Sequence, residues 1–399
     1  MQLKNVRDQF PALDQKVYGK PLVYLDNAAT AQRPQSVVEL QKSLSQGPNA
    51  NLHRAVHKLA ADATEAYENT REYVRDYLNA QYTSEIIFTS GATASINLVA
   101  YSFGEAFVGA GDEIIVSVAE HHSNIVPWQL LCERKGAILK VLDIDENCVL
   151  SPEGLEKLIS ERTKIVAISH ISNVLGLINP VRELVAVSHK HGVPVLVDGA
   201  QGIVHAKVDV QEIGCDFYAF SGHKIYAATG TGVLYGKKDF LDAMPPFMGG
   251  GEMIETVSFS GTTYAQTPTK FEAGTQNFNA IPTLVPAIEF AKAFETDPAI
   301  TEYVYSKLIE NERITLFGKG LERKVPLFSF VVKGAHHEDL ALILDKMGIA
   351  LRSGQMCAEP LMDRLGVTGL LRASFAPYNT TDEAKYFIEC LNKAIDMLI

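Results

Sequence analysis

The sequence predicts an α/β protein: a large domain built on a mainly parallel seven-stranded sheet, and a smaller α+β domain at the C-terminal end. Three observations carry this. Seven short β-rich runs, SEIIFTSG, GDEIIVSVAE, AILKVLDI, TKIVAISH, VPVLVDGAQ, DFYAFSG and GVLYG, alternate with helix-length stretches between Ser84 and Gly236. Strands spaced by helices form βαβ units with both sheet faces covered. Polar residues collect at the carboxyl ends of those runs, where such sheets bind ligands. Past Gly249, Gly250 and Gly251 the pattern changes to helices mixed with short strands such as LFSFVV and LLRASF.

A chain of 399 residues exceeds the roughly 100 to 200 residues of one compact domain. A helix is expected from Ile281 to Phe294, broken at Thr296, Asp297 and Pro298. The last helix keeps one buried face, Ala384, Phe387, Ile388, Leu391, Ala394, Ile395 and Leu398, after the cap candidates Thr380 and Thr381. The large domain is expected over residues 20–289 and the small one over 290–399, with segment 1–19 folded against the latter.

The net charge of −11 argues against duplex nucleic acid or an anionic membrane as partner, because both repel an acidic surface. MQLKNVRDQFPALDQ contains no continuous apolar segment, and no later run approaches the roughly 18 residues of a membrane span. A cytoplasmic protein is expected. Cys132, Cys148, Cys215, Cys357 and Cys390 are odd in number, scattered and without a CxxC pair, so free thiols are expected rather than disulfides or a zinc site.

The strand-end residues are Thr89 to Thr93, His121 and His122, Asn173, Asp198 and Gln201, and Ser221 to Lys224. An aspartate closing a buried strand needs a cation or strong donors to stay ionised. A lysine just past a neighbouring strand, after the small residues Ser221 and Gly222, can enter the same crevice. One ligand wants both groups. Pyridoxal 5'-phosphate forms a Schiff base with a lysine, and a carboxylate keeps its ring nitrogen protonated. Its phosphate suits the strand–turn–helix FTSGATASINLVA, where the N–H groups of Gly91, Ala92 and Thr93 open a helix. Ser221 and His223 can add donors.

NLHRAVH, AEHHSNIVPW, SNVLG, VDGAQG, DFYAFSGHK, FEAGTQN and RSGQMCAEPL, between YLDNAAT at Tyr24 and RASFAPYN at Arg372, resemble the group II cysteine desulfurases (SufS/CsdA-like). These belong to the aminotransferase class V enzymes of PLP-dependent transferase fold type I, the aspartate aminotransferase-like fold. The resemblance implies Lys224 as the Schiff-base lysine, Asp198 as partner of the pyridine nitrogen, and Gln201 as donor to the ring hydroxyl. It implies that His121 stacks on the ring and relays protons. Thr93, Ser221 and His223 would hold the phosphate, and Thr275 would reach the phosphate of the other subunit of a homodimer. Arg372, helped by Asn173, would bind the substrate α-carboxylate.

By the same resemblance L-cysteine, or L-selenocysteine, is the substrate. Lys224 takes the Cα proton and Cys357 takes the sulfur as a persulfide, leaving L-alanine. The sulfur then passes to an acceptor protein of the SufE/CsdE type for iron–sulfur cluster or related sulfur metabolism. Cys357 lies in a loop bounded by glycine and proline, near Arg352, a setting that favours a thiolate. Core packing is expected for Cys132, Cys148, Cys215 and Cys390.

The chain departs from the family pattern at Ala92, Ala227, Ala228, Gln276, Gln355 and Met356. Selenocysteine lyase, another fold type I enzyme, and a non-catalytic sulfur-relay partner are the alternatives. His53 and His57 have i, i+4 spacing without the HExxH glutamate, so no metal site is expected there. His336 and His337 are expected to be solvated.

Overall fold

The computed structural model describes residues 6–47, 49–53 and 56–399. The central sheet contains β1 (Ile86–Thr89), β2 (Glu113–Ser117), β3 (Ile138–Leu142), β4 (Thr163–Ser169), β5 (Val195–Asp198), β6 (Phe217–Ser221) and β7 (Gly232–Gly236). Their order is β1-β7-β6-β5-β4-β2-β3. All neighbours run parallel except β7, which is antiparallel to both β1 and β6. Alternation along each strand feeds two separate cores. Ile165, Ala167 and Leu196 join one, whereas Val166, Ile168, Val195 and Val197 join the other. That is what a sheet covered on both faces requires.

Helix α1 (Lys58–Leu78) covers one face, and α2 (Ala92–Phe107) leaves the end of β1. HRAVH is not helical where described. His57 is the N-cap of α1, its Nδ1 accepting from the Ala60 N–H at 3.2 Å, while His53 sits outside the helix. Arg54 and Ala55 lie outside the described residues. An exposed hairpin follows, β8 (Ile254–Ser258) with β9 (Gly261–Tyr264).

The expected helix near residue 281 begins as one 3-10 turn and continues as α3 (Leu284–Ala293), packed in the core that also holds Val166 and Val197. Asp297 then caps α4 (Pro298–Glu310), whose Ile300, Val304 and Leu308 belong to a different core. The packing therefore changes over at residues 294–298. The second core lies against an antiparallel sheet, β10 (Ile314–Phe317), β11 (Leu327–Val332), β12 (Arg352–Gly354) and β13 (Leu370–Ser374), in the order β10-β11-β13-β12. Helix α5 (His337–Lys346) packs there, α6 (Glu359–Leu365) follows the Cys357 loop, and α7 (Thr381–Leu398) ends the chain.

Thr380 and Glu383 close a capping box on α7, a motif that satisfies two otherwise orphaned donors. Its expected buried face forms, except that Leu398 is 38% exposed. Segment 6–19 touches both cores' surroundings: Arg7 pairs with Glu383 of α7, while the Phe10 ring packs on Tyr226, Phe290 and Tyr378. His337 corrects the expectation of a solvated pair. It is half-buried, with Nδ1 2.8 Å from Ser353 Oγ, because β12 runs alongside the start of α5.

Burial holds four imidazoles, His121, His170, His205 and His223, down at about 4, against about 6.5 when unfolded. Between those values the unfolded chain binds more protons, so stability rises with pH. This contribution is complete above about 6.5 and is lost as pH falls toward about 4. Thermal melts should show Tm dropping from about pH 7 to about pH 5; a flat profile would contradict the burial of these rings.

Candidate active site

Three strands end side by side: Ser169 of β4 pairs with Asp198 of β5, which pairs with Ala219 of β6. Segments leaving these ends, together with His121 beyond β2, line one crevice with His121, Asn173, Asp198, Gln201 and Lys224 on its walls. The turn after Asp198 needs glycine, since a Cβ on Gly199 would lie 2.0 Å from the Tyr218 ring. A larger groove, lined by Thr89, Ser90, Glu272 and Gln276 among others, carries none of the crevice residues. The smaller cavity is the chemically equipped one.

Asp198 is 5% exposed and accepts one hydrogen bond, from the Ala200 N–H at 2.9 Å. Burial raises its pKa and the charge of Lys224 opposes the rise. Lys224 is half-buried; loss of water lowers its pKa, Asp198 counteracts this, and Arg372 adds to it. The two groups feel each other's charge but, among the described residues, form neither hydrogen bond nor ion pair. Neither has a counter-ion in contact among the described residues, and both line the crevice.

His121 has a defined tautomer. The Ser123 N–H donates to Nδ1 at 3.1 Å, so Nδ1 is an acceptor and the neutral ring carries its proton on Nε2. Beneath it lies Glu120, fully buried and raised to about 7 by burial, accepting from Ser117 Oγ, from Asn124 Nδ2 at 2.7 Å and from the Ser169 N–H at 3.0 Å. Sequence reasoning left Glu120 without a role, although an acid at a buried strand end beside two histidines was visible in AEHH.

Arg372 extends from β13 toward the crevice and is 3% exposed. Its Nη1 donates to the Asn173 carbonyl at 2.9 Å and its Nη2 to Asp26 Oδ1 at 3.1 Å. Nε is buried with no acceptor. Asp26, in YLDNAAT, had not been singled out in the sequence; its pKa is raised by burial and held back by Arg372. Arg352 also turns to Asp26, at 3.8 Å. The cations whose titration Cys357 affects are instead Lys224 and Arg372.

Cys357 is exposed, and both it and Met356 adopt positive φ, 54° and 56°, a conformation that non-glycine residues take only when held there. Three hydrogen bonds hold the loop there. Asn173 Nδ2 donates to the Met356 carbonyl at 2.9 Å, the His122 N–H to the Cys357 carbonyl at 2.8 Å, and the Glu359 N–H to His122 Nε2 at 3.2 Å. Met356 itself is buried. Cys132, Cys215 and Cys390 are buried and Cys148 is half-buried.

Helix α2 opens at Gly91 without a side-chain cap, and the Ala92 N–H donates to Ser221 Oγ at 2.8 Å. The turn is pressed against β7: a Cβ on Gly232 would come 2.4 Å from the Gly91 Cα. His223 Nδ1 lies 3.2 Å from Thr30 Oγ1. Gln201 is engaged, its amide donating to the Ala28 carbonyl at 2.7 Å. Thr93 and Thr275 are both exposed, and neither lines the crevice. The departures from the family pattern find local partners. The Ala228 N–H donates to Thr283 Oγ1, and the Gln276 amide closes onto the carbonyls of Ala273 and Gly274.

Comparison with known proteins places this site in context. The family model described as aminotransferase class-V matches residues 23–387. A cysteine desulfurase of Enterobacter sp. (strain 638) is 45% identical over 404 residues, covering 99% of each chain. The crystal structure of the cysteine desulfurase CsdA from Escherichia coli superposes with a TM-score of 0.90 at 40% identity over 98% of both chains. An apo cysteine desulfurase from Thermococcus onnurineus NA1 does so with a TM-score of 0.91 at 36% identity, over 98% of this chain and 99% of its own. Similar to these cysteine desulfurases along nearly its whole length, the chain belongs to the aminotransferase class-V family.

Proposed function

We propose that the protein is a PLP-dependent cysteine desulfurase, converting L-cysteine and a thiol on Cys357 into L-alanine and a persulfide on Cys357. The observation that carries this is the crevice lined by both Asp198 and Lys224, whose wall residue Asn173 is bonded on one side by Arg372 and on the other by the cysteine loop. These residues fit the cofactor. A carboxylate whose burial disfavours its charge gains a cation, and an amine without a partner gains a carbonyl carbon. The N-terminus of α2, where the Ala92 N–H donates to Ser221 Oγ, gains a phosphate together with Ser221, His223 and Thr93. Bound there, pyridoxal 5'-phosphate supplies an electron sink for the bond-breaking steps.

The chain's own groups do the rest. Arg372 receives the substrate carboxylate on Nε and Nη2, with Asp26 and Asn173 fixing the guanidinium plane. Lys224, its pKa lowered by burial, serves as the base for the Cα proton. His121 offers a proton from Nε2 and, near 4 in pKa, stays neutral at physiological pH. Gln201 borders the ring site. Cys357 Sγ, having given up its proton, attacks the substrate sulfur; the S–S bond forms as the Cβ–S bond breaks, Cβ takes up a proton, and Cα regains the one held by Lys224, which completes alanine.

The persulfide chemistry and the five free cysteines suit a reducing compartment, which supports the cytoplasm. No described helix is long and apolar enough to cross a membrane. Thr275, exposed on its loop, is left for a second copy, in keeping with a homodimer. The exposed Cys357 sulfur is open to an acceptor protein. Purified protein mixed with pyridoxal phosphate and L-cysteine should yield equal alanine and persulfide sulfur; alanine without persulfide, or pyruvate, would contradict the reading. Arg372→Lys keeps the charge but not the fork and should raise KM for L-cysteine about 10- to 100-fold at unchanged cofactor content. A KM equal to wild type would remove Arg372 from carboxylate binding.

A further inference from the structure

A doubly buried charge pair lies away from the crevice. Arg71 on α1 and Glu272 in the loop before Thr275 are 2% and 4% exposed. Nη1 donates to Oε1 at 2.7 Å and Nη2 to Oε2 at 2.9 Å, and Tyr67 Oη donates to Oε2 at 3.0 Å. The same two side chains also hold backbone. Arg71 Nη1 donates to the Ile86 carbonyl at 2.7 Å, and Glu272 Oε1 accepts from the Phe88 N–H at 2.7 Å.

Ile86 and Phe88 belong to β1, an edge strand whose single neighbour among the described residues is β7. The outward carbonyl of one residue and the outward N–H of the next but one are what an added strand would bind. Arg71 and Glu272 supply the donor and the acceptor in its place. One residue past Phe88 the strand ends, and the chain turns through Ser90 and Gly91 into α2. Glu272 also anchors the loop that lines a common groove with Thr89 and Ser90.

We propose that Arg71 and Glu272 are positioning residues for the phosphate turn: acting as a surrogate strand, they fix the open edge of β1 and thereby the N–H groups at Gly91 to Thr93. The inference rests on the reading of that turn as the cofactor's phosphate site. The alternative role, neutralising a buried charge and nothing more, makes no distinction between phosphorylated and unphosphorylated ligand. Pyridoxal phosphate and pyridoxal are titrated separately into apoprotein, read by quenching of the single tryptophan, Trp128.

Glu272→Asp retains the charge that Arg71 needs for folding but is too short to hold Arg71 and the Phe88 N–H together. Its Kd for pyridoxal phosphate should rise at least about tenfold, the cost of misplacing one charged hydrogen bond, with the Kd for pyridoxal unchanged. Arg71→Met/Glu272→Met, which leaves neither charge buried, should behave alike. Wild-type affinity for pyridoxal phosphate in Glu272→Asp, or equal weakening for both ligands, would overturn the proposal. Wild-type protein that takes up neither compound would overturn it together with the function it rests on.

Discussion

Lys224→Ala should make neither alanine nor persulfide from L-cysteine, with turnover falling at least about 10³-fold, as removal of a covalent-catalysis residue does. The geometry gives a second, less obvious expectation. The amine is held where burial and Arg372 both disfavour its charge, while Asp198 and, less strongly, Cys357 favour it. Removing it relieves a desolvated cation, so the apoprotein should melt no lower than wild type. Loss of activity with retained or raised Tm is the signature of a group kept for chemistry at the expense of stability. Full activity in this variant would show that the crevice is not the reaction site.

Cys357→Ala separates the thiol from the rest of the site. The three hydrogen bonds that fix the loop go to the carbonyls of Met356 and Cys357 and to the Glu359 N–H, and none uses the sulfur. The loop should therefore keep its shape, the cofactor should load normally, and protein-bound persulfide should disappear. Turnover of L-cysteine should fall about 10³-fold or more, because the nucleophile that accepts the sulfur is gone. Alanine release measured beside persulfide labelling checks this. Alanine formation from L-selenocysteine that survives the substitution would identify a selenocysteine lyase, whereas unchanged persulfide would place the acceptor thiol elsewhere.

The features legible in the sequence are those whose signal is local. The strand runs, the Thr380 cap and the strand-end positions of Asp198 and Lys224 all follow from neighbours a few residues apart. The antiparallel setting of β7 was available but not drawn: only residues 222–231 separate β6 from β7, too few for a helical crossover between parallel strands. Asp26, Glu120 and Arg71 were not legible as participants because their meaning lies in distant partners. Asp26 meets Arg372 across 346 positions and Arg71 meets Glu272 across 201. His57 shows the converse, a helical spacing that the chain uses as a cap instead.

The claim on which the function depends is that one aldehyde cofactor lies between Asp198 and Lys224. Borohydride reduction of the holoprotein, followed by peptide mass mapping, tests it directly. The account predicts a pyridoxyl phosphate adduct on Lys224 alone, at near one per chain, and its absence from Lys224→Ala. An adduct on any other lysine, or none in protein saturated with pyridoxal phosphate, would contradict it.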